Sequence, residues 1–205
     1  MRTRIISIIG AVFVIMILWG CLGGSNEPAR KQLETINRIL GKYGHGASIV
    51  TFDHNIDGTI SLRCSVFCNE STTFCDKTTV ELAGMKGLYW LDASATKIGD
   101  DGLVNLATLP DLQYLQVAGC EITTKGLMEL SSNPTLQFLD LRNCRLLKRD
   151  DIDVLGRSQS LKVVFVNGTA FLSSQQDRVG FVLDFGKPPE RQDVPWALEQ
   201  YPESK

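Results

Sequence analysis

The sequence predicts an α/β fold: a short solenoid with parallel strands on its concave face, short helices on its convex face, an N-terminal helical cap and an irregular C-terminal cap. Three observations predict it. Four segments align without gaps, LYWLDASATKI from Leu88, LQYLQVAGCEI from Leu112, LQFLDLRNCRL from Leu136 and LKVVFVNGTAF from Leu161, and their starts are 24 to 25 residues apart. Each has apolar residues at its first, fourth and sixth positions, and the fourth-to-sixth step is strand spacing, which turns both side chains to one face. Each is followed by a turn and a second apolar patch; Leu103/Leu106 and Leu127/Leu130 are three residues apart, as on one turn of a packed helix.

The chain has 205 residues, of which 43% are hydrophobic and 21% charged, so it can bury a core and is neither wholly disordered nor a multi-span membrane protein. Its net charge of −2 supplies no basic field for phosphates, and nucleic acid is not expected as a partner.

Residues 1–21 read as a signal peptide or membrane anchor. Arg2 and Arg4 precede the uncharged run IISIIGAVFVIMILW, which matches the basic and apolar regions of an export signal. The end of this run, Leu18-Trp19-Gly20-Cys21, resembles a bacterial lipobox, although Trp19 departs from the small or β-branched residue usual there. The resemblance implies lipidation of Cys21. An uncleaved anchor and ordinary cleavage with release are the alternatives, and all three place the globular part outside the cytoplasm, where disulfides form. Residues 22–29, with Gly23-Gly24-Ser25-Asn26, read as a flexible tether.

Residues 30–87 read as an N-terminal cap with a degenerate first repeat. Leu33, Ile36, Ile39, Leu40 and Tyr43 have helical spacing, with Arg30, Lys31, Glu34 and Arg38 on the other side. Ile49–Phe52 and Thr59–Leu62 read as strands around a polar turn. The distance from Ile60 to Leu91 exceeds the repeat by about seven residues, and the surplus coincides with the stretch between Cys68 and Cys75. A loop inserted into a repeat between two cysteines suggests a Cys68–Cys75 disulfide, with Cys64 bonded to either as the alternative.

Residues 88–172 are the repeats. Pro110 and Pro134 stand two residues before the next strand's first leucine, where a helix must already have ended. Asp100, Thr124 and Asp150 lie near the helix starts and are candidate caps, and Ile98, Ile122 and Leu146 are candidate core residues after each turn. One strand and one short helix at this period resemble the leucine-rich repeat family, and the pattern Leu-x-x-Leu-x-Leu-x-x-Cys/Thr-x-Ile followed by Gly-Leu-x-x-Leu looks most like its cysteine-containing subtype, common in exported bacterial proteins. That resemblance implies a structural ladder of Thr96, Cys120, Cys144 and Thr169, whose side chains satisfy backbone groups of the turn. Residues 173–205 read as C-terminal cap and tail, with Phe181, Leu183 and Phe185 alternating like a closing strand.

No catalytic machinery or cofactor is expected. Asp53 to Ile60 opens like a calcium loop, but its twelfth position holds Cys64 where a bidentate Glu is required. His45 and His54 with Cys64, Cys68 and Cys75 match no zinc spacing, so no metal site is assigned, and a metal- or thiol-dependent enzyme on this cap is the remote alternative. What remains is a surface. Stacked repeats place Trp90, Tyr114 and Phe138 in one outward column, with Asp92, Gln116 and Asp140 beside it and Arg142 in the next. Aromatic columns of this kind mark binding hot spots, so these seven residues are the expected contacts for a protein partner, with the membrane engaged through the N-terminus. Cover by the chain's own cap loop or tail is the alternative for the rings, and a structural envelope spacer without a specific ligand is the alternative for the function.

Overall fold

The computed structural model describes residues 4–8, 31, 34, 35, 38, 48–54, 60–68, 70, 71 and 73–186, with side-chain surroundings at 31, 34, 35, 38, 68, 70, 71 and 73–186. Eight strands form one sheet in chain order: β1 (Arg4–Ile8), β2 (Ser48–His54), β3 (Ile60–Phe67), β4 (Leu88–Asp92), β5 (Tyr114–Gln116), β6 (Phe138–Asp140), β7 (Val163–Phe165) and β8 (Val182–Asp184). The first three are antiparallel. Five successive parallel pairings then join β3 to β8. Parallel neighbours need a crossover between them, and each is a turn plus a short helix: α1 (Asp76–Thr79), α2 (Asp100–Ala107), α3 (Thr124–Ser131), then a 3₁₀ turn (Arg149–Asp151) running into α4 (Ile152–Leu155), and last a 3₁₀ turn (Ser173–Arg178).

The opening of the apolar run forms an edge strand, isoleucine-rich Arg4–Ile8, which suits the β-branched preference for pleated pairing. The rest of that run, Cys21 and the tether lie outside the described residues. Among those described, no helix is long and apolar enough to cross a membrane. In the cap segment Lys31, Glu34, Thr35 and Arg38 are helical, and Arg38 lies 3.6 Å from Glu81.

The repeat register is that of the aligned segments. Trp90 pairs with Tyr114, Tyr114 with Phe138, and Phe138 with Val163; Leu91, Leu115, Leu139 and Val164 pair likewise. The leucines of the first and fourth positions, with Leu103, Leu106, Leu127, Leu130, Ile152 and Leu155 from the helices, form one buried core between sheet and helices. β8 adds a fifth parallel step, with Phe181 and Leu183 in that core.

Two expectations are corrected here. The first repeat begins at β3 and contains no inserted loop. Val66 pairs with Leu91, and the Cys68 amide donates to Asp92 O as the Ala93 amide donates to Gln116 O. Cys68 therefore stands where Ala93 does, and Cys75 is the extended residue before α1 as Gly99 is before α2. The strand is eight residues long and only its end matches the repeat, which is why counting from Ile60 gave a surplus. With the insertion goes the argument for a disulfide: Cys68 and Cys75 are free thiols. Second, the turn after β6 carries an extra residue, so Leu147 fills the core position and Leu146 is 52% exposed.

The helix caps also differ from expectation. The Asp100 carboxylate caps the next helix rather than its own: Oδ1 accepts from the Thr123 and Gly126 amides at 2.8 and 3.1 Å, and Oδ2 from the Thr123 hydroxyl at 2.6 Å. Asp76 accepts the Gly99 amide in the same way. Thr124 donates its hydroxyl to Asp151 one repeat later, and Asp151, not Asp150, takes the Lys148 amide. These acceptors satisfy the orphan N–H groups of short helices and place negative charge at their positive ends. The arrangement explains Gly102 and Gly126. A Cβ at Gly102 would fall 2.5 Å from Asp76 Oδ1, and one at Gly126 would fall 2.7 Å from Asp100 Oδ1.

Candidate functional site

The strand face opposite the leucine core carries the predicted contacts. The β4–β6 spacing stacks the Trp90 and Tyr114 rings with centroids 4.2 Å apart and Tyr114 on Phe138 at 5.2 Å, both nearly parallel. Val163 and Phe165 from β7 complete a second apolar cluster, separate from the main core, with Tyr89 half-buried beside it. The column is in the predicted register, but it is not solvent-facing. Trp90, Tyr114 and Phe138 are 0 to 1% exposed.

The polar column alongside is equally enclosed. Asp92, Gln116 and Asp140 are buried. Trp90 Nε1 donates to Gln116 Oε1 at 3.3 Å. Asp92 Oδ1 accepts the Ser94 amide and Asp140 Oδ1 accepts the Arg142 amide, each at 3.0 Å, so both carboxylates pin the turn that follows their strand. Asp140 also receives a forked pair from Arg142, Nε at 3.0 Å to Oδ1 and the terminal nitrogen at 3.0 Å to Oδ2. Such a pair keeps a fully buried carboxylate compensated. Of the seven predicted contacts, only the Arg142 side chain keeps appreciable access, at 27%. The expectation of an open aromatic surface is corrected: each ring stacks on the next, and Trp90, Tyr114 and Phe138 are buried.

Behind the sheet, Thr96, Cys120, Cys144 and Thr169 occupy equivalent turn positions. The Thr96 and Thr169 hydroxyls donate to Ala93 O and Val166 O, each at 2.7 Å. The Cys120 and Cys144 thiols reach back one repeat, to Ala93 O and Val117 O, each at 3.3 Å. Buried Ser71 begins this ladder, and it escapes the sequence pattern because only the end of β3 matches the repeat. A left-handed residue precedes each of these five: Glu70, Ala95, Gly119, Asn143 and Gly168. Only two are glycine, and at Gly168 a Cβ would strike Asn143 Oδ1 at 2.2 Å.

Burial pushes the Cys68 and Cys144 thiols up to about 12, and raises Cys120 too. An activated nucleophile needs the opposite shift. Alkylation mapped by mass spectrometry on the native protein is expected to leave these three unmodified while half-exposed Cys75 reacts. Because the folded thiols hold their protons above the unfolded value of 9.0, stability is expected to fall as pH rises from about 9 toward 12. Equal labelling of all four would contradict this environment. Among the described residues, no group of three His, Cys, Asp or Glu side chains is placed to hold a metal.

Residues 108–131 match the family model described as Leucine Rich repeat. The matched stretch runs from the end of α2 through β5 and α3, one strand-and-helix unit, and the neighbouring units share its register. Over this stretch of 24 of the 205 residues the chain is similar to the leucine-rich repeat family. No curated protein matches the chain.

Proposed function

We propose that the chain is a non-enzymatic protein-interaction module of the cell envelope, exported and held at the membrane through its N-terminus, which engages a partner across the strand face of its leucine-rich repeats. Such repeats commonly bind proteins, and their non-core strand positions align into columns fit for that purpose. The carrying observation is the Asp140–Arg142 pair. It fixes a partly exposed guanidinium beside the end of β6, ready to meet a carboxylate or backbone carbonyl of a partner. The uncharged run that continues beyond β1, from Ile9 to Leu22, and Cys21 support the attachment.

The burial of Trp90, Tyr114 and Phe138 favours a second reading, an envelope spacer whose second apolar cluster serves stability alone. Chemical crosslinking in native membranes separates the two. The module is expected to give a stoichiometric adduct that Arg142→Glu abolishes and Lys125→Glu, on the helix face, preserves. A spacer gives no adduct, or one indifferent to Arg142.

A further inference from the structure

The extra residue after β6 has a surface consequence. Exposed Leu146 is flanked by Arg145, Lys148 and Arg149, all exposed. Among the described residues none of these three cations makes an ion pair. The acids that follow them are otherwise engaged: Arg178 reaches both Asp150 and Asp153, and buried Asp151 holds the Lys148 amide and the Thr124 hydroxyl. Glu121, in the place of Arg145 one repeat earlier, pairs with none of them. The next repeat sets Leu172 in the place of Lys148, each being the extended residue before its 3₁₀ turn. Gln175 ties the two turns by donating to Arg149 O at 2.9 Å, and Leu172 is exposed too.

Two exposed leucines and three cations without an ion pair among the described residues thus share one loop edge on a chain of net charge −2. We propose that this edge docks on an anionic lipid bilayer, the leucines entering the interface and the cations meeting headgroup phosphates. Charge complementarity selects the occupant: cations beside apolar tips are the pattern of interfacial anchoring, with long basic side chains reaching up to the phosphates. The surface is distinct from the strand face and does not depend on it.

The test is hydrogen exchange on the full chain bound to vesicles of phosphatidylcholine alone or mixed with phosphatidylglycerol. Amides at 145–149 and 171–173 are expected to slow about tenfold on the anionic vesicles only, an effect that high salt removes. The variant R145Q/K148Q/R149Q is expected to lose the protection, and Leu146→Ser to weaken it. Equal protection on both vesicles, or on neither, overturns the proposal. So does equal protection by soluble poly-glutamate at the same ionic strength, which would point to an acidic protein instead.

Discussion

Tyr114→Ala is expected to cost about 3–5 kcal/mol of folding stability, the range for truncating a large buried aromatic ring. Tyr114 is the middle of the stack, so its removal uncovers Trp90 on one side and Phe138 on the other. The neighbouring strands hold their spacing through backbone pairing, so the gap cannot close by collapse. Phe138→Ala is expected to behave alike. The reading of these rings as solvent-facing contacts implies the reverse, a lost partner with an unchanged thermal midpoint. Urea unfolding followed by far-ultraviolet circular dichroism decides between them, and a loss below about 1 kcal/mol would return the rings to the surface.

Gly126→Ala is expected to destabilise the chain by about 2 kcal/mol or more, although alanine is the better helix former by about 1 kcal/mol. The new methyl group would sit 2.7 Å from both Asp100 Oδ1 and Leu103 Cδ1. The carboxylate would have to leave the Thr123 and Gly126 amides, stranding donors at the start of α3. A double-mutant cycle isolates the cause. In an Asp100→Ala background most of the penalty should vanish. An undiminished penalty there would place the clash on Leu103 and remove the cross-repeat cap from the account.

The repeat period was legible because 24-residue spacing recurs in leucines that the core cannot exchange for polar residues. The outer boundaries of the array were harder. β3 continues well before its repeat-matching end, and its ladder residue is Ser71, so nothing in the first repeat announces itself by identity. Leu146 and Leu147 are chemically equal, and only the turn's geometry chooses which is buried. The helix-start acids were recognised, but a linear pattern shows the helix a residue begins, not the neighbouring helix its side chain caps. The strand face was the largest gap. Alternation separates Trp90 and Tyr114 from Leu91 and Leu115, yet it cannot say whether the second face is open or covered.

Residues 24 apart are stacked neighbours in an enclosed second cluster. Nuclear Overhauser contacts between aromatic side chains test it most directly. The structure predicts cross-peaks from the Trp90 indole to the Tyr114 ring, and from Tyr114 to Phe138, with centroids 4.2 and 5.2 Å apart and no exchange of the Trp90 indole proton with water on the same timescale. Missing cross-peaks together with a rapidly exchanging indole proton would contradict it.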